Sequence, residues 1–216
     1  MTDLTGNTTL SGPVGRLEAI LKEPDAEVTR AAIVCHPHPL FGGTMHNKVV
    51  FRIARAFQDA GFAVLRFNFR GTGRSEGSHD DGFGEQDDLR AAVQFIKDKY
   101  PTAELWLAGF SFGAAVVLRA GCGFERARAL IVVGAPVSKY DFSHVGRCDK
   151  PKLFVQGELD EFGSAEDLKR LAAKLDSTNQ VTIISGADHF FEGQLPALYE
   201  SISTFILSVG VDATSR

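Results

Sequence analysis

Two segments of the chain fit the pattern Gly-x-Ser-x-Gly: Gly73-Arg74-Ser75-Glu76-Gly77 and Gly109-Phe110-Ser111-Phe112-Gly113. The pattern suits a serine on a turn so sharp that a Cβ atom on either side would strike the strand before it or the helix after it. The chemistry is nucleophilic acyl transfer. The flanking residues separate the two matches. Leu105-Trp106-Leu107-Ala108 reads as a buried strand into Ser111, and Ala114-Ala115-Val116-Val117-Leu118-Arg119-Ala120 as a small-residue helix out of it. Ser75 instead follows the loop Arg70-Gly71-Thr72-Gly73 and runs into Gly77-Ser78-His79-Asp80-Asp81-Gly82, which cannot start a helix promptly. Ser111 is the expected nucleophile and Ser75 a structural turn residue.

A serine hydroxyl needs an imidazole to take its proton, and the imidazole needs a carboxylate to hold its tautomer. On a strand-turn-helix scaffold the acid and then the base follow the nucleophile in the chain. Downstream of Ser111 stand two histidines, His144 and His189. His189 follows the apolar run Val181–Ile184 in the loop Ser185-Gly186-Ala187-Asp188-His189-Phe190-Phe191, at the end of a strand where such sites assemble. His144 lies in a polar stretch and reads as a surface loop residue. The acid is expected in Gln156-Gly157-Glu158-Leu159-Asp160-Glu161-Phe162-Gly163, after the strand Leu153-Phe154-Val155. Asp160 is preferred because a short side chain on a fixed backbone reaches the imidazole from the top of the loop. Separations of 49 residues from Ser111 to Asp160 and 29 from Asp160 to His189 each accommodate a strand-helix unit.

The oxyanion of an acyl transfer calls for two backbone N–H donors. One is expected from Phe112, directly after the nucleophile. The other is expected from His36-Pro37-His38-Pro39-Leu40-Phe41-Gly42-Gly43-Thr44, where Pro37 and Pro39 carry no N–H. That leaves His38, Leu40 or a later residue, with Leu40 preferred. His36, His38 and His46 raise a metal reading, but no Asp or Glu lies in this loop and the prolines shape it, so bracing hydrogen bonds are expected and no metal. Gly71-Thr72-Gly73-Arg74-Ser75-Glu76 fails the dinucleotide fingerprint because Glu76 stands at its third glycine, and no Gly-Lys-Ser/Thr phosphate loop occurs. No cofactor is expected.

These loops need a scaffold that delivers them to one edge. Short, nearly continuous apolar runs at Ala31–Cys35, Phe62–Phe67, Leu105–Ala108, Ala129–Val133, Leu153–Val155 and Val181–Ile184 alternate with amphipathic stretches. The latter predict helices over about His46–Ala60, Glu85–Lys99, Phe112–Ala120, Ala165–Leu175 and Pro196–Ser208. Strands that do not alternate are buried on both faces, so the pattern predicts a three-layer α/β/α sandwich around a mostly parallel sheet of about eight strands. Thr9–Leu21 adds a hairpin around a Gly-Pro turn at one edge. A single domain over 1–216 is expected, with 1–7 and 210–216 as flexible ends.

Composition narrows the partners. With 216 residues, 44% of them hydrophobic, the chain can bury a large core, and its net charge of −4 without a basic cluster disfavours nucleic acid. No apolar run approaches the roughly 18 residues of a membrane span, and the amino terminus shows no signal-peptide pattern. Cys35, Cys122 and Cys148 are an odd number at irregular spacing, so reduced thiols and a cytoplasmic protein are expected.

The sequence resembles the α/β-hydrolase superfamily from about Ala31 to Leu207. The likeness rests on the Gly109–Gly113 elbow, on Asn68-Phe69-Arg70-Gly71-Thr72-Gly73-Arg74-Ser75 and on Gly186-Ala187-Asp188-His189-Phe190-Phe191. Within the superfamily, His36-Pro37-His38-Pro39-Leu40-Phe41-Gly42-Gly43-Thr44-Met45-His46-Asn47 is similar to a small bacterial subgroup near the dienelactone hydrolases, described as predicted hydrolases or esterases. The resemblance implies the set Ser111, Asp160 and His189 and favours Leu40 as second donor. Dienelactone hydrolases carry cysteine at the elbow, where this chain has Ser111. Larger relatives insert a cap after the sixth strand; the 17 residues from Gly134 to Lys150 are too few for one. An open pocket is therefore expected, with Leu40, Phe41, Phe110, Phe112, Phe162, Phe190 and Phe191 as candidate walls. The combined expectation is a serine hydrolase of small carboxylic esters. Lactone, thioester or amide hydrolysis and acyl transfer are alternatives on the same residues, and a non-catalytic ligand-binding protein is the alternative of another class. The apolar rim could also mark a homodimer contact.

Overall fold

The computed structural model describes residues 6–142, 148–175 and 179–211. His144 lies outside these residues. Eight strands form one sheet: β1 (Asn7–Gly12), β2 (Gly15–Lys22), β3 (Arg30–Cys35), β4 (Ala63–Phe67), β5 (Glu104–Phe110), β6 (Ala127–Val133), β7 (Lys152–Gly157) and β8 (Asn179–Ile184). Their spatial order is β1-β2-β4-β3-β5-β6-β7-β8. β1 pairs antiparallel with β2 and β2 antiparallel with β4, and every pairing from β4 to β8 is parallel.

The helices are α1 (Lys48–Asp59), α2 (Gly84–Lys99), α3 (Phe112–Ala120), α4 (Ala165–Lys174) and α5 (Leu195–Val211). Alternate residues of one strand enter different cores, which explains why the strands do not alternate in polarity. Ala32 and Val34 pack with Val49, Ile53 and Phe57 of α1 and Leu198, Ile202 and Phe205 of α5. Ala31, Ile33 and Cys35 pack with Leu89 and Val93 of α2 and Val116 and Val117 of α3. The other side of α3, through Ala115 and Leu118, meets Val132, Phe154 and Leu168 of α4. Asn47 starts α1 by accepting the Val49 N–H at 2.8 Å, and Ser164 starts α4 by accepting the Asp167 N–H at 3.0 Å.

Every expected strand and helix is present, most displaced by one to three residues at their ends. Within the ends expected to be flexible, Asn7 pairs with Ile20 in the edge hairpin, and α5 continues through Val211. Residues 1–5 and 212–216 lie outside the described residues.

The reading of three reduced thiols is corrected. Cys122 and Cys148 form a disulfide across a sequence separation of 26, with Cα atoms 5.4 Å apart, and only Cys35 is free. Linear spacing could not show that the end of α3 and the approach to β7 lie side by side. The bond also removes the thiol argument for a reducing compartment. No helix among the described residues is long and apolar enough to cross a membrane.

Closing a loop of this length contributes on the order of 3 kcal/mol by restricting the unfolded chain. Cys122→Ser is expected to lower unfolding free energy in urea by about that amount. Thiol titration of unreduced, denatured protein should find Cys35 alone. Three reactive thiols in that titration would contradict the bond.

Candidate active site

Ser111 occupies the single residue between β5 and α3, with φ 55° and ψ −117°. A non-glycine residue at positive φ carries strain of about 1–3 kcal/mol, which persists only where neighbouring structure dictates it. Here the neighbours are two glycines. A Cβ on Gly109 would lie 2.2 Å from the Gly113 carbonyl oxygen, and one on Gly113 would lie 2.5 Å from that of Cys35. The turn is further held by the Ser111 N–H donating to the Val133 carbonyl at 2.9 Å.

His189 stands in the loop after β8 and Asp160 in the loop after β7. His189 Nε2 is 2.9 Å from Ser111 Oγ, and His189 Nδ1 is 2.8 Å from Asp160 Oδ2. An ionised carboxylate only accepts, so the Nδ1 proton points to Asp160 and the Nε2 lone pair faces the serine hydroxyl. Asp160 and His189 are both buried, at 7% and 5% exposure, while Phe162, Phe110 and Phe190 surround the imidazole at ring separations of 4.6, 5.0 and 5.2 Å. Asp160 is oriented on both oxygens: Oδ1 accepts the Phe162 N–H and Oδ2 accepts from Gln156 Nε2, each at 2.8 Å.

The competing carboxylates go elsewhere. Glu158 accepts the Ser185 hydroxyl at 2.7 Å and the Gly186 N–H at 2.8 Å, tying the two loops together. Those bonds, the serine hydroxyl first, hold its carboxyl below the usual range. Ser75 is buried, donates to the Asn68 carbonyl at 2.7 Å and accepts the Glu18 N–H at 2.9 Å. Its hydroxyl is a brace.

The loop after β3 differs from expectation at the second donor. Pro39–Phe41 is a short 3-10 turn capped by His38, whose Nδ1 accepts the Leu40 N–H at 3.3 Å. Leu40 itself is 71% exposed. Phe41 and Gly43 donate to the His38 carbonyl and Gly42 to that of Pro39. Among the described residues, the N–H groups of His38 and Phe112 have no acceptor. His36, by contrast, is a buried brace: Nδ1 donates to the Pro37 carbonyl at 2.6 Å and Nε2 accepts the Phe69 N–H at 3.0 Å. Among the described residues no group of three side chains is placed to hold a metal ion.

A cavity of about 620 Å³ opens in front of Ser111, lined by Phe41, Phe112, Phe162 and Phe190 among the expected walls. Phe110 and Phe191 are fully buried in the core instead, Phe110 because strand alternation turns it inward, and Leu40 is exposed and not part of the cavity lining. Sequence reasoning missed Asn47, Pro136, Lys139 and Tyr140, which also line it. A short segment after β6 was visible as such, but not that it lines the same cavity as Ser111. It missed Gln156 too, whose signal was a polar residue ending an apolar strand four positions before Asp160.

Burial lowers the pKa of His36 to about 4 from an unfolded value of 6.5. The folded state therefore binds fewer protons between these values, and its contribution to stability is full above pH 6.5 and is lost as pH falls toward 4. In urea denaturation, the stability gap between wild type and His36→Gln should shrink by about 2 kcal/mol from pH 7 to 4.5. A gap that does not change with pH would contradict the assignment.

Comparison with known proteins finds relatives of the same fold. A family model described as serine aminopeptidase, S33, matches residues 28–142. An α/β serine hydrolase without lid from Xanthomonas campestris is 40% identical, over 94% of this chain and 93% of its own, with a TM-score of 0.87. An α-β serine hydrolase homologue from Coxiella burnetii is 38% identical, over 94% and 97%, with a TM-score of 0.88. An uncharacterized protein of Rickettsia prowazekii is 35% identical over 92% of this chain and 87% of its own length.

Proposed function

Because this chain belongs to the α/β-hydrolase superfamily and is a serine hydrolase of that fold, we propose that it cleaves small carboxylic esters through an acyl-enzyme on Ser111, with His189 as general base and acid and Asp160 as the orienting carboxylate. The observation that carries the reading is the continuous hydrogen-bonded line from Asp160 Oδ2 through His189 to Ser111 Oγ at the floor of an open cavity.

In the first half-reaction Ser111 Oγ attacks the carbonyl carbon while its proton passes to His189 Nε2. The imidazolium is held by Asp160, and the tetrahedral oxyanion takes hydrogen bonds from two preorganised amides. We assign these to Phe112 and His38, since Leu40 donates to the His38 ring. Collapse returns the Nε2 proton to the leaving alcohol. Water then attacks the acyl carbon as His189 takes its proton, and collapse breaks the bond to Ser111 Oγ, which recovers that proton as the acid leaves.

The cavity bears on substrate class. Lys139 is the fully charged residue of its lining, and no carboxylate lines it among the described residues. An aminopeptidase would need an acid there for the substrate's α-ammonium group, so esters fit better than amino-terminal peptides. With Phe41 86% and Phe190 44% exposed at the mouth, no described residue encloses a long acyl chain.

Ser111→Ala should reduce turnover of p-nitrophenyl acetate by at least about 10³-fold, while Ser75→Ala retains it, and a fluorophosphonate should label Ser111 alone. Acetate and butyrate esters should outrun palmitate. Loss of activity in Ser75→Ala with retention in Ser111→Ala would overturn the assignment.

The second donor is separately testable because His38 has φ −55° and ψ 122°, a backbone that proline can adopt. His38→Ala keeps the N–H and is expected to lose little in kcat. His38→Pro removes it and should lose about 10²–10³-fold, the effect of one missing oxyanion donor. Equal losses in the two variants would return the role to another amide.

A further inference from the structure

We propose that Gln156 is a positioning residue for the Asp160–His189 pair: its side-chain amide sets the direction of the Asp160 carboxylate and the charge left on Oδ2. The inference rests on the hydrolytic reading of Ser111, His189 and Asp160 given above.

β7 is apolar through Leu153, Phe154 and Val155, and Gln156 follows them with no solvent exposure. Its Nε2 lies 2.8 Å from Asp160 Oδ2, 2.9 Å from the Gly163 carbonyl and 3.4 Å from the Ala135 carbonyl. Every one of these neighbours accepts. The amide therefore has one permissible orientation, since a flip would aim Oε1 at a carboxylate and two carbonyls. Its two protons match the two shorter contacts, to Asp160 and Gly163.

The other end of the amide is informative. Gln156 Oε1 is buried and has no donor among the described residues. A buried polar atom without a partner is unfavourable, and a leucine or methionine at this position would leave none. The position therefore gains from the two N–H groups what it loses at the oxygen. What they supply is specific. Asp160 Oδ2 receives both Gln156 and His189, and Oδ1 receives only the Phe162 amide. Removing the Gln156 donor leaves one fixed bond behind the carboxylate and concentrates charge on the oxygen facing the imidazole. The carboxylate can then rotate about the Phe162 contact, and its hold on a protonated His189 strengthens.

Glutamate cannot substitute. A protonated carboxyl brings one hydrogen to two acceptors, and an ionised one opposes Asp160. The pair of variants Gln156→Met and Gln156→Glu is therefore discriminating. In wild type and both variants, kinetics of p-nitrophenyl acetate hydrolysis against pH are measured together with thermal unfolding. The far-downfield proton resonance of the Asp160–His189 hydrogen bond is recorded in parallel.

Gln156→Met is expected to lower kcat about tenfold with KM unchanged, the equivalent of part of one charge-assisted hydrogen bond. The acid limb of its kcat/KM profile should move to higher pH by about half a unit, and the downfield resonance should shift or broaden. Gln156→Glu should lose more in kcat than Gln156→Met. The other carboxylates of these loops, Glu158, Glu161 and Asp188, are exposed and unaltered, so a displaced limb reports the buried pair. If either folded variant keeps the wild-type kcat, acid limb and downfield resonance, Gln156 is not a positioning residue. The resonance needs no turnover. A moved resonance in Gln156→Met alongside full activity in Ser111→Ala would sustain this role and reject the hydrolytic reading.

Discussion

Everything in the site is arranged around one unfavourable backbone, that of Ser111. Its φ of 55° lets a strand end and a helix begin with one residue between them. The same turn lifts the hydroxyl above the sheet and leaves the first helical amide, Phe112, facing the same space. Strain of this kind cannot be relieved locally, so the flanking elements must be rigid. They are: β5 lies inside the sheet between β3 and β6, and α3 is buried along nearly its whole length. Gly113 brings the helix start against the carbonyls of Cys35 and His36, so the loop after β3 is placed by the same turn. Nucleophile and proposed oxyanion donors are consequently one rigid unit.

His189 and Asp160, the proposed base and acid, come from the other half of the sheet and need their own bracing, because each stands on a loop. Two kinds of contact supply it. Backbone bonds from Glu158 to Ile184 and from Leu159 to Ala187 continue the β7–β8 pairing past the strand ends. Side-chain bonds then use the residues that failed as alternative acids or nucleophiles: Glu158 joins the two loops, and Ser75 fastens the loop after β4 to β2. Spare carboxylates and hydroxyls near the site work as structural donors and acceptors, and this is what separates them from the reactive set.

These contrasts explain how much could be read beforehand. The three-layer fold was legible because apolar runs without alternation have few other solutions. Ser111 was separable from Ser75 by its flanks, since a turn between buried strand and buried helix leaves a signature on both sides. The choice of Asp160 and His189 rested on strand ends and side-chain length, and the structure brings both side chains into one hydrogen-bonded line with Ser111. The misreadings share a cause. Whether Leu40 or His38 offers a free amide depends on a 3-10 turn whose bonds are invisible in composition. Phe110 and Phe112 differ by two positions, look alike as letters and are both buried, yet of the two only Phe112 also lines the cavity, because the chain changes from strand to helix between them. Cys122 and Cys148 meet through the packing of distant segments.

The absence of a cap has a consequence beyond openness. With no separate domain over the nucleophile, the far wall of the cavity is made by Pro136, Lys139 and Tyr140, within a few residues of the end of β6. That segment is not independent of the acid loop. Ser138 donates both its hydroxyl and its N–H to the Phe162 carbonyl, at 2.5 and 3.3 Å, and the Phe162 N–H donates to Asp160 Oδ1. Phe162 also presents its ring to the cavity and to His189. One residue thus couples the cavity wall, the Asp160 carboxylate and the His189 ring. A displacement of this wall is therefore transmitted through Phe162 to the Asp160 carboxylate.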